Sequence, residues 1–216
     1  MNSNSDPSVV YLIRHGEKLG DPNNDKDGGP DLSVRGSARA AALPSLFLPG
    51  PQITADAPAA PSCALDADGG SFTGVYHEVP QQAVAPPRFR TPQVIYATSP
   101  GSDDQATSGG DTETSHRPLE TITPLAAALN LTPKTPYSDE HYAKVAHDVR
   151  QDYPGQVVLI CWHHGTIQCL AEALGATGVN PWKGSVFDRV WEIDYTQNPP
   201  QFTDHPQSLL FYDAAT

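Results

Sequence analysis

The chain has 216 residues, a length that suits one domain with a sizeable buried core. Its formal net charge of -12 repels polyanions, which argues against nucleic acid and anionic membranes as partners. No apolar run approaches the ~20 residues of a membrane helix, and residues 1–8 lack the pattern of a signal peptide. The three cysteines show no zinc-ligand spacing, so we expect a reduced, cytoplasmic protein with no metal and no other cofactor.

The first predicted element is a buried strand over Val9–Ile13, because the run is β-branched and aromatic. The strand stops at Arg14-His15-Gly16-Glu17, and a Gly- and Asp-rich loop follows. Ser33 is the predicted N-cap of a helix over Val34–Phe47, which Pro44 should kink or split.

Two stretches without periodicity flank the next predicted strand, Gln93–Ala97. Residues 49–92 are rich in Pro, Ala, Gly and Gln, and they form an insertion that is either a lid over a site or a disordered excursion. The lid is favoured only by Arg88 and Arg90. Residues 101–116 form a polar, acidic loop.

The second half alternates helices with strands. The predicted elements are, in chain order, helices over Arg117–Asn130 and Asp139–Tyr153 (the second capped by Ser138), a buried strand over Gln156–Cys161, a helix ending at Gly175, and a closing pair of strands over Val186–Tyr195 and Leu209–Tyr212. This alternation predicts one α/β domain over residues 1–216, a three-layer sandwich whose mostly parallel sheet has helices on both faces. Ligands bind beyond the carboxyl ends of such strands, so Arg14-His15 and His163-His164 should face one crevice.

Arg14-His15-Gly16-Glu17 is the strongest chemical signal. A neutral imidazole is a competent nucleophile near neutral pH, provided that an acceptor fixes its tautomer. Gly16 would let backbone N–H groups approach a phosphate closely.

Further motifs follow in a recognisable order: Leu32-Ser33-x-x-Gly36-x-x-Arg39-Ala40, Arg117-x-x-x-Thr121, and a His-Gly pair after a strand. With these motifs the chain resembles the histidine phosphatase superfamily, also called phosphoglycerate mutase-like, from Val9 to about Tyr212. Ser115 to Thr121 and Cys161-Trp162-His163-His164-Gly165 look most like a poorly characterised branch with a tryptophan before the second catalytic histidine.

The resemblance implies that His15 accepts the phosphoryl group and that Arg14 and Arg117 clamp its oxygens. Guanidinium groups match those oxygens in geometry, and phosphoryl transfer depends mostly on positioning and charge neutralisation. One histidine of the pair would complete the pocket. His164 matches the His-Gly of the family, whereas His163 places an isoleucine four residues on, as commoner members do; we favour His164 as catalytic, with His163 lining the phosphate site.

Hydrolysis also needs a proton donor for the leaving oxygen, and Glu140 is our candidate. A carboxylate at a helix start also simply favours the helix dipole. The predicted function is a metal-independent phosphatase acting on a phosphorylated small molecule through a phosphohistidine. The alternatives are a phosphoglycerate mutase, whose usual tryptophan-asparagine pair is replaced here by Lys18-Leu19, and a non-catalytic phosphate-binding protein. The sequence leaves the substrate and the oligomeric state open.

Overall fold

A computed structural model describes residues 6–23, 28–51, 84–101 and 114–213. Most of the predicted insertion, residues 52–83, lies outside these ranges, as do residues 102–113 of the predicted acidic loop. Among the described residues, no helix has both the length and the apolar character needed to cross a membrane.

One five-stranded sheet forms the centre of the molecule. Its strands are β1 (Val9–Arg14), β4 (Val94–Ala97), β5 (Val157–Trp162), β6 (Arg189–Asp194) and β7 (Gln201–Pro206), in the order β4-β5-β1-β6-β7. The pairs β4–β5 and β5–β1 are parallel, whereas β1–β6 and β6–β7 are antiparallel. Two short strands, β2 (Gly50–Pro51) and β3 (Val84–Ala85), pair separately.

Helices cover both faces of the sheet, which confirms the predicted three-layer α/β fold. One face packs against α2 (Pro44–Phe47) and α3 (Arg117–Leu129), and α1 (Val34–Ala42) packs against α3. The other face packs against α4 (Tyr142–Asp152) and α5 (His164–Ala173). Every residue of β1 and β5 is buried, as their continuous apolar runs predict.

Two predicted helix boundaries, the N-cap of the first helix and its break at a proline, are confirmed. Ser33 caps α1 by accepting the backbone N–H of Gly36 at 3.1 Å, and Pro44 splits the predicted helix into α1 and α2. The predicted cap Ser138 instead opens a short 3₁₀ turn, Asp139–His141, before α4 begins.

The last predicted strand, Leu209–Tyr212, is wrong. The closing strand is Gln201–Pro206, whose polar residues suit a sheet edge. Residues 209–212 form a turn in which the Asp213 carboxylate accepts the N–H groups of Leu209 and Leu210 at 2.9 and 3.0 Å. That turn leaves Phe211 about 90% exposed, so its apolar character does not mark a buried strand.

The carboxyl ends of β1, β4 and β5 lie side by side, and they are hereafter called the carboxyl end of the sheet. A further segment runs beside β4, because Ala97 donates to the Lys134 carbonyl at 3.0 Å and Ser99 to the Tyr137 carbonyl at 2.7 Å. The 3₁₀ turn at Asp139–His141 therefore also begins near the carboxyl end of the sheet.

Candidate active site

His15 is fully buried and held in one tautomer. Its Nδ1 lies 2.7 Å from the carbonyl oxygen of Gly16. Because a carbonyl only accepts hydrogen bonds, Nδ1 carries the proton of the neutral ring and Nε2 keeps the lone pair. The ring nitrogen of His15 that keeps a lone pair for other contacts is therefore Nε2.

The partner imidazole beside His15 belongs to His163. The two ring centroids lie 5.2 Å apart with an interplanar angle of 64°. The sheet register explains this contact, because Arg14 pairs with Trp162 and each histidine directly follows one of these residues. His15 also donates its backbone N–H to the Trp162 carbonyl at 3.3 Å.

The sequence analysis favours His164 as the catalytic histidine, and that role stays a prediction; the ring contact with His15 that the structure shows is made by His163. His164 is the first residue of α5, and His163 is its N-cap, in extended conformation at the end of the strand. Strand-like geometry thus persists to residue 163, and the direction of the chain changes only after it.

Arg14 joins two loops above the end of β1. Its guanidinium donates to the carbonyls of Pro22 at 2.9 Å and Val186 at 3.2 Å, and also to that of Gly184. The guanidinium carbon lies 3.8 Å from the centroid of the Phe187 ring. Arg14 is therefore buried at the carboxyl end of the sheet, where its guanidinium group contacts protein carbonyls.

Phe187, which the sequence analysis placed in the predicted strand Val186–Tyr195, lies beside His15 and Arg14. Its ring centroid lies 6.0 Å from that of His15, and it also stacks on Arg14. No local pattern marks it, because the segment that carries it is irregular and reaches His15 only through the tertiary fold.

Arg117 opens α3 and is 2% exposed. Its Nε donates to the Ser115 hydroxyl at 3.2 Å, and its backbone N–H donates to the Pro30 carbonyl at 3.2 Å. Four residues on, the Thr121 hydroxyl donates to the Arg117 carbonyl at 2.7 Å and accepts the N–H of Gly16 at 2.8 Å. The spacing Arg-x-x-x-Thr thus ties the first turn of α3 to the loop that carries His15.

Gly16 donates its N–H to the Thr121 hydroxyl at 2.8 Å. Its predicted place beside a phosphate stays a prediction. A Cβ on Gly16 would lie 2.9 Å from the Gly36 carbonyl oxygen, and a Cβ on Gly36 would lie 2.2 Å from the Glu17 carbonyl oxygen. Both glycines are required because the loop after β1 packs directly on α1.

Arg39 fixes the other side of this loop. Its five N–H donors all have acceptors: the carboxylates of Glu17 (2.7 and 3.0 Å) and Asp213 (2.7 and 2.9 Å) and the side-chain oxygen of Gln207 (3.0 Å). Burial alone would raise the pKa of Glu17, but hydrogen bonds from Arg39 and Arg35 hold it below its ordinary value. Glu17 is thus an ionised anchor for this loop.

Burial likewise acts to raise the pKa of Asp213, but hydrogen bonds from Arg39 and from two backbone N–H groups bring it down to about 2. The C-terminal turn is therefore fastened to the same arginine that holds Glu17.

Glu140 is exposed in the 3₁₀ turn near the carboxyl end of the sheet. Its place in the fold agrees with a proton donor that approaches from solvent, and its role stays a prediction. Arg88 donates to the Gln207 carbonyl at 3.0 Å, just after β7, and the lid itself stays a prediction because most of the insertion lies outside the described residues.

One group of metal-ligand type was not foreseen. Single ligand atoms of Asp31, His116 and Glu120 lie within 4.8 Å of one another. His116 Nδ1 is 2.8 Å from Asp31 Oδ1, and Glu120 accepts the Leu32 N–H at 2.8 Å. These bonds fasten residues 31 and 32 to α3. The sequence did not reveal the group because 85 residues separate Asp31 from His116.

No protein-family model matches the chain, and no curated protein matches it. Two solved structures are similar in backbone. One, from Agrobacterium tumefaciens and provisionally named phosphohistidine phosphatase SixA, shares 17% identity over 92% of this chain and 97% of its own, with a TM-score of 0.45. The other, from Escherichia coli K-12 and provisionally named alpha-ribazole-5'-P phosphatase, shares 12% identity over 93% of this chain and 96% of its own, with a TM-score of 0.46. Both likenesses are weak, so the chemistry of the site rests on this chain's own residues.

Proposed function

We propose that the protein is a phosphatase that hydrolyses a phosphomonoester through a phosphohistidine on His15. The observation that carries this proposal is the buried His15 ring, whose Nδ1 is bound to the Gly16 carbonyl at 2.7 Å. That bond directs the lone pair of Nε2 away from the backbone, which is the state a nucleophilic histidine needs.

Two arginines would supply the positive charge. Arg14 and Arg117 are both buried near the carboxyl end of the sheet. The electrostatic attraction between a guanidinium group and an anion is stronger there than in water. The phosphoryl oxygens would replace the loop carbonyls that now accept from Arg14. His163, in edge-to-face contact with His15, would hydrogen-bond the transferred group.

The chemistry then takes two steps. In the first, Nε2 of His15 forms a bond to phosphorus as the ester P–O bond breaks, and Glu140 protonates the leaving oxygen. In the second, water attacks phosphorus, the P–N bond breaks, and inorganic phosphate leaves while the proton of the water returns to the carboxylate. Phosphoryl transfer of this kind depends on positioning and charge, and imidazole and guanidinium groups provide both without a metal.

The proposed substrate is a phosphorylated small molecule. A net charge of -12 disfavours nucleic acid as a partner. We also propose a reducing, cytoplasmic setting, because Cys161 and Cys169 are free thiols and Cys161 is buried.

The direct test is hydrolysis of 4-nitrophenyl phosphate by the wild type and by His15→Ala, with His147→Ala as a matched surface control. We expect release of inorganic phosphate without added bisphosphoglycerate, loss of turnover in His15→Ala, and wild-type rates in the control. Turnover in His15→Ala at the wild-type rate would rule out the mechanism.

A further inference from the structure

A cavity of about 380 Å³ lies between the loop that precedes β6 and the face of strands β6 and β7. Its walls come from two indoles, a phenyl ring and several polar side chains: Asn180, Trp182, Lys183, Val186, Asp188, Arg189, Trp191, Phe202 and Asp204, together with Pro181. A volume of this size holds a one- or two-ring organic group.

Three aromatic rings contribute to the walls of this cavity: Phe202 is partly exposed, whereas Trp182 and Trp191 are 6% and 4% exposed. The Trp182 and Trp191 ring centroids are 4.5 Å apart, and Phe202 meets Trp191 edge-to-face at 5.5 Å. Aromatic walls of this kind favour a planar ring, which they contact by stacking and by edge-to-face packing. At the rim, Asn180 and the ion pair of Arg189 with Asp204 (2.8 Å) offer both donors and acceptors to a heteroatom.

The cavity lies beside the carboxyl end of the sheet. Strand β6 runs antiparallel to β1, and Trp191 pairs with Leu12, two residues before Arg14. Side chains alternate along a strand, so Arg14, Leu12 and Trp191 share one face of the sheet. The start of β6, where the cavity opens, is therefore beside the end of β1, where His15 follows.

One loop lines both the cavity and the catalytic site. The carbonyl of Val186 accepts the Trp182 indole N–H at 2.8 Å and an Arg14 N–H at 3.2 Å. Phe187 contacts His15 and Arg14, while its neighbours Val186 and Asp188 line the cavity. A phosphoryl group on Arg14 and a ring packed against the wall of this cavity would thus be held by the same few residues.

We propose that this cavity binds the organic part of the substrate, and that this part is a planar aromatic or heteroaromatic ring. The inference rests on the proposed phosphatase function, because it places the phosphoryl group at His15. The fit of this ring in the cavity would determine which phosphate esters the site prefers.

The test compares 2-(2-naphthyl)ethyl phosphate with ethyl phosphate, whose leaving alcohols are similar in acidity. We expect a higher kcat/KM for the naphthyl ester in the wild type. In Phe202→Ala that preference should fall about tenfold, chiefly through KM, because one aromatic wall is lost. In Phe211→Ala, which removes an exposed ring elsewhere, the preference should stay as in the wild type. Equal kcat/KM values for both esters in the wild type would overturn the inference.

A second measurement separates failure of this inference from failure of the proposed function. Calorimetry of 2-(2-naphthyl)ethanol, which has no phosphate, reports on the cavity alone. Saturable binding that weakens about tenfold in Phe202→Ala supports the cavity even if neither ester is hydrolysed. Absence of binding to the wild type overturns the cavity assignment even if both esters are hydrolysed.

Discussion

Thr121 accepts the backbone N–H of Gly16 at 2.8 Å, which links α3 to the residue that follows the proposed nucleophile. The same hydroxyl donates to the Arg117 carbonyl at 2.7 Å. Thr121 therefore uses both its donor and an acceptor position, and the loop that carries His15 is held in place by a helix 105 residues away in sequence.

We predict that Thr121→Val, which keeps the shape but removes the hydroxyl, costs about 1–3 kcal/mol because it leaves the buried Gly16 N–H without an acceptor. Activity should fall mainly in kcat, since the imidazole loses its support. Urea unfolding and steady-state kinetics measure the two effects. Thr123→Val is the matched control, because its exposed hydroxyl makes the same bond, at 2.7 Å to Leu119, and no other. Equal effects of the two substitutions would argue against the support role.

Gly36→Ala should destabilise the fold and lower activity, because the new Cβ would lie 2.2 Å from the Glu17 carbonyl oxygen. A backbone atom cannot move aside cheaply, so we expect a cost of about 2 kcal/mol or more. Gly165→Ala provides the contrast for stability. No heavy atom lies within 4 Å of its added Cβ, and alanine in a helix is favoured over glycine by about 0.5–1 kcal/mol. Thermal unfolding of both variants measures the two effects, and a melting temperature of Gly36→Ala equal to that of the wild type would contradict the predicted clash.

We predict that the free energy of unfolding depends on pH in the acidic range through Asp213. Its pKa is about 2 in the folded protein against an ordinary value of 3.8, so the folded state binds this proton less readily than the unfolded chain. The contribution is therefore complete above about pH 4 and is lost as the pH falls towards 2. Urea unfolding across this range should show the loss in the wild type and much less of it in Asp213→Asn. Asp152→Asn, at an exposed site, should keep the wild-type profile.

The contact between His15 and His163 predicts an asymmetry between two adjacent histidines. His163→Ala should lower kcat by about a hundredfold or more, as loss of a transition-state contact does. His164→Ala should lower it less than about tenfold, because the ring that lies 5.2 Å from the His15 ring, centroid to centroid, is that of His163. Steady-state kinetics on one phosphomonoester gives both numbers, and the reverse order would restore the assignment that the sequence favoured.

Much of the fold could be predicted from local sequence. The runs at Val9–Ile13 and Gln156–Cys161 became neighbouring parallel strands, and Ser33 and Pro44 marked the ends of helices. These signals are local, because a β-branched run, a cap and a proline act within a few residues.

The parts that were missed depend on tertiary contacts. His163 and His164 are adjacent in sequence, and only the pairing of Arg14 with Trp162 shows which of them meets His15. Phe187 reaches His15 through an irregular segment, which carries no periodic signal. The polar strand Gln201–Pro206 escaped notice because an edge strand needs few apolar residues.

The most direct measurement of the central claim is rapid acid-free quenching during turnover, followed by mass spectrometry of the peptide that contains His15. We predict one phosphoryl group on the His15 imidazole, labile in acid and stable in base, and none in His15→Ala. Steady turnover with no phosphoryl group on His15, or with the label on another residue, would contradict the account.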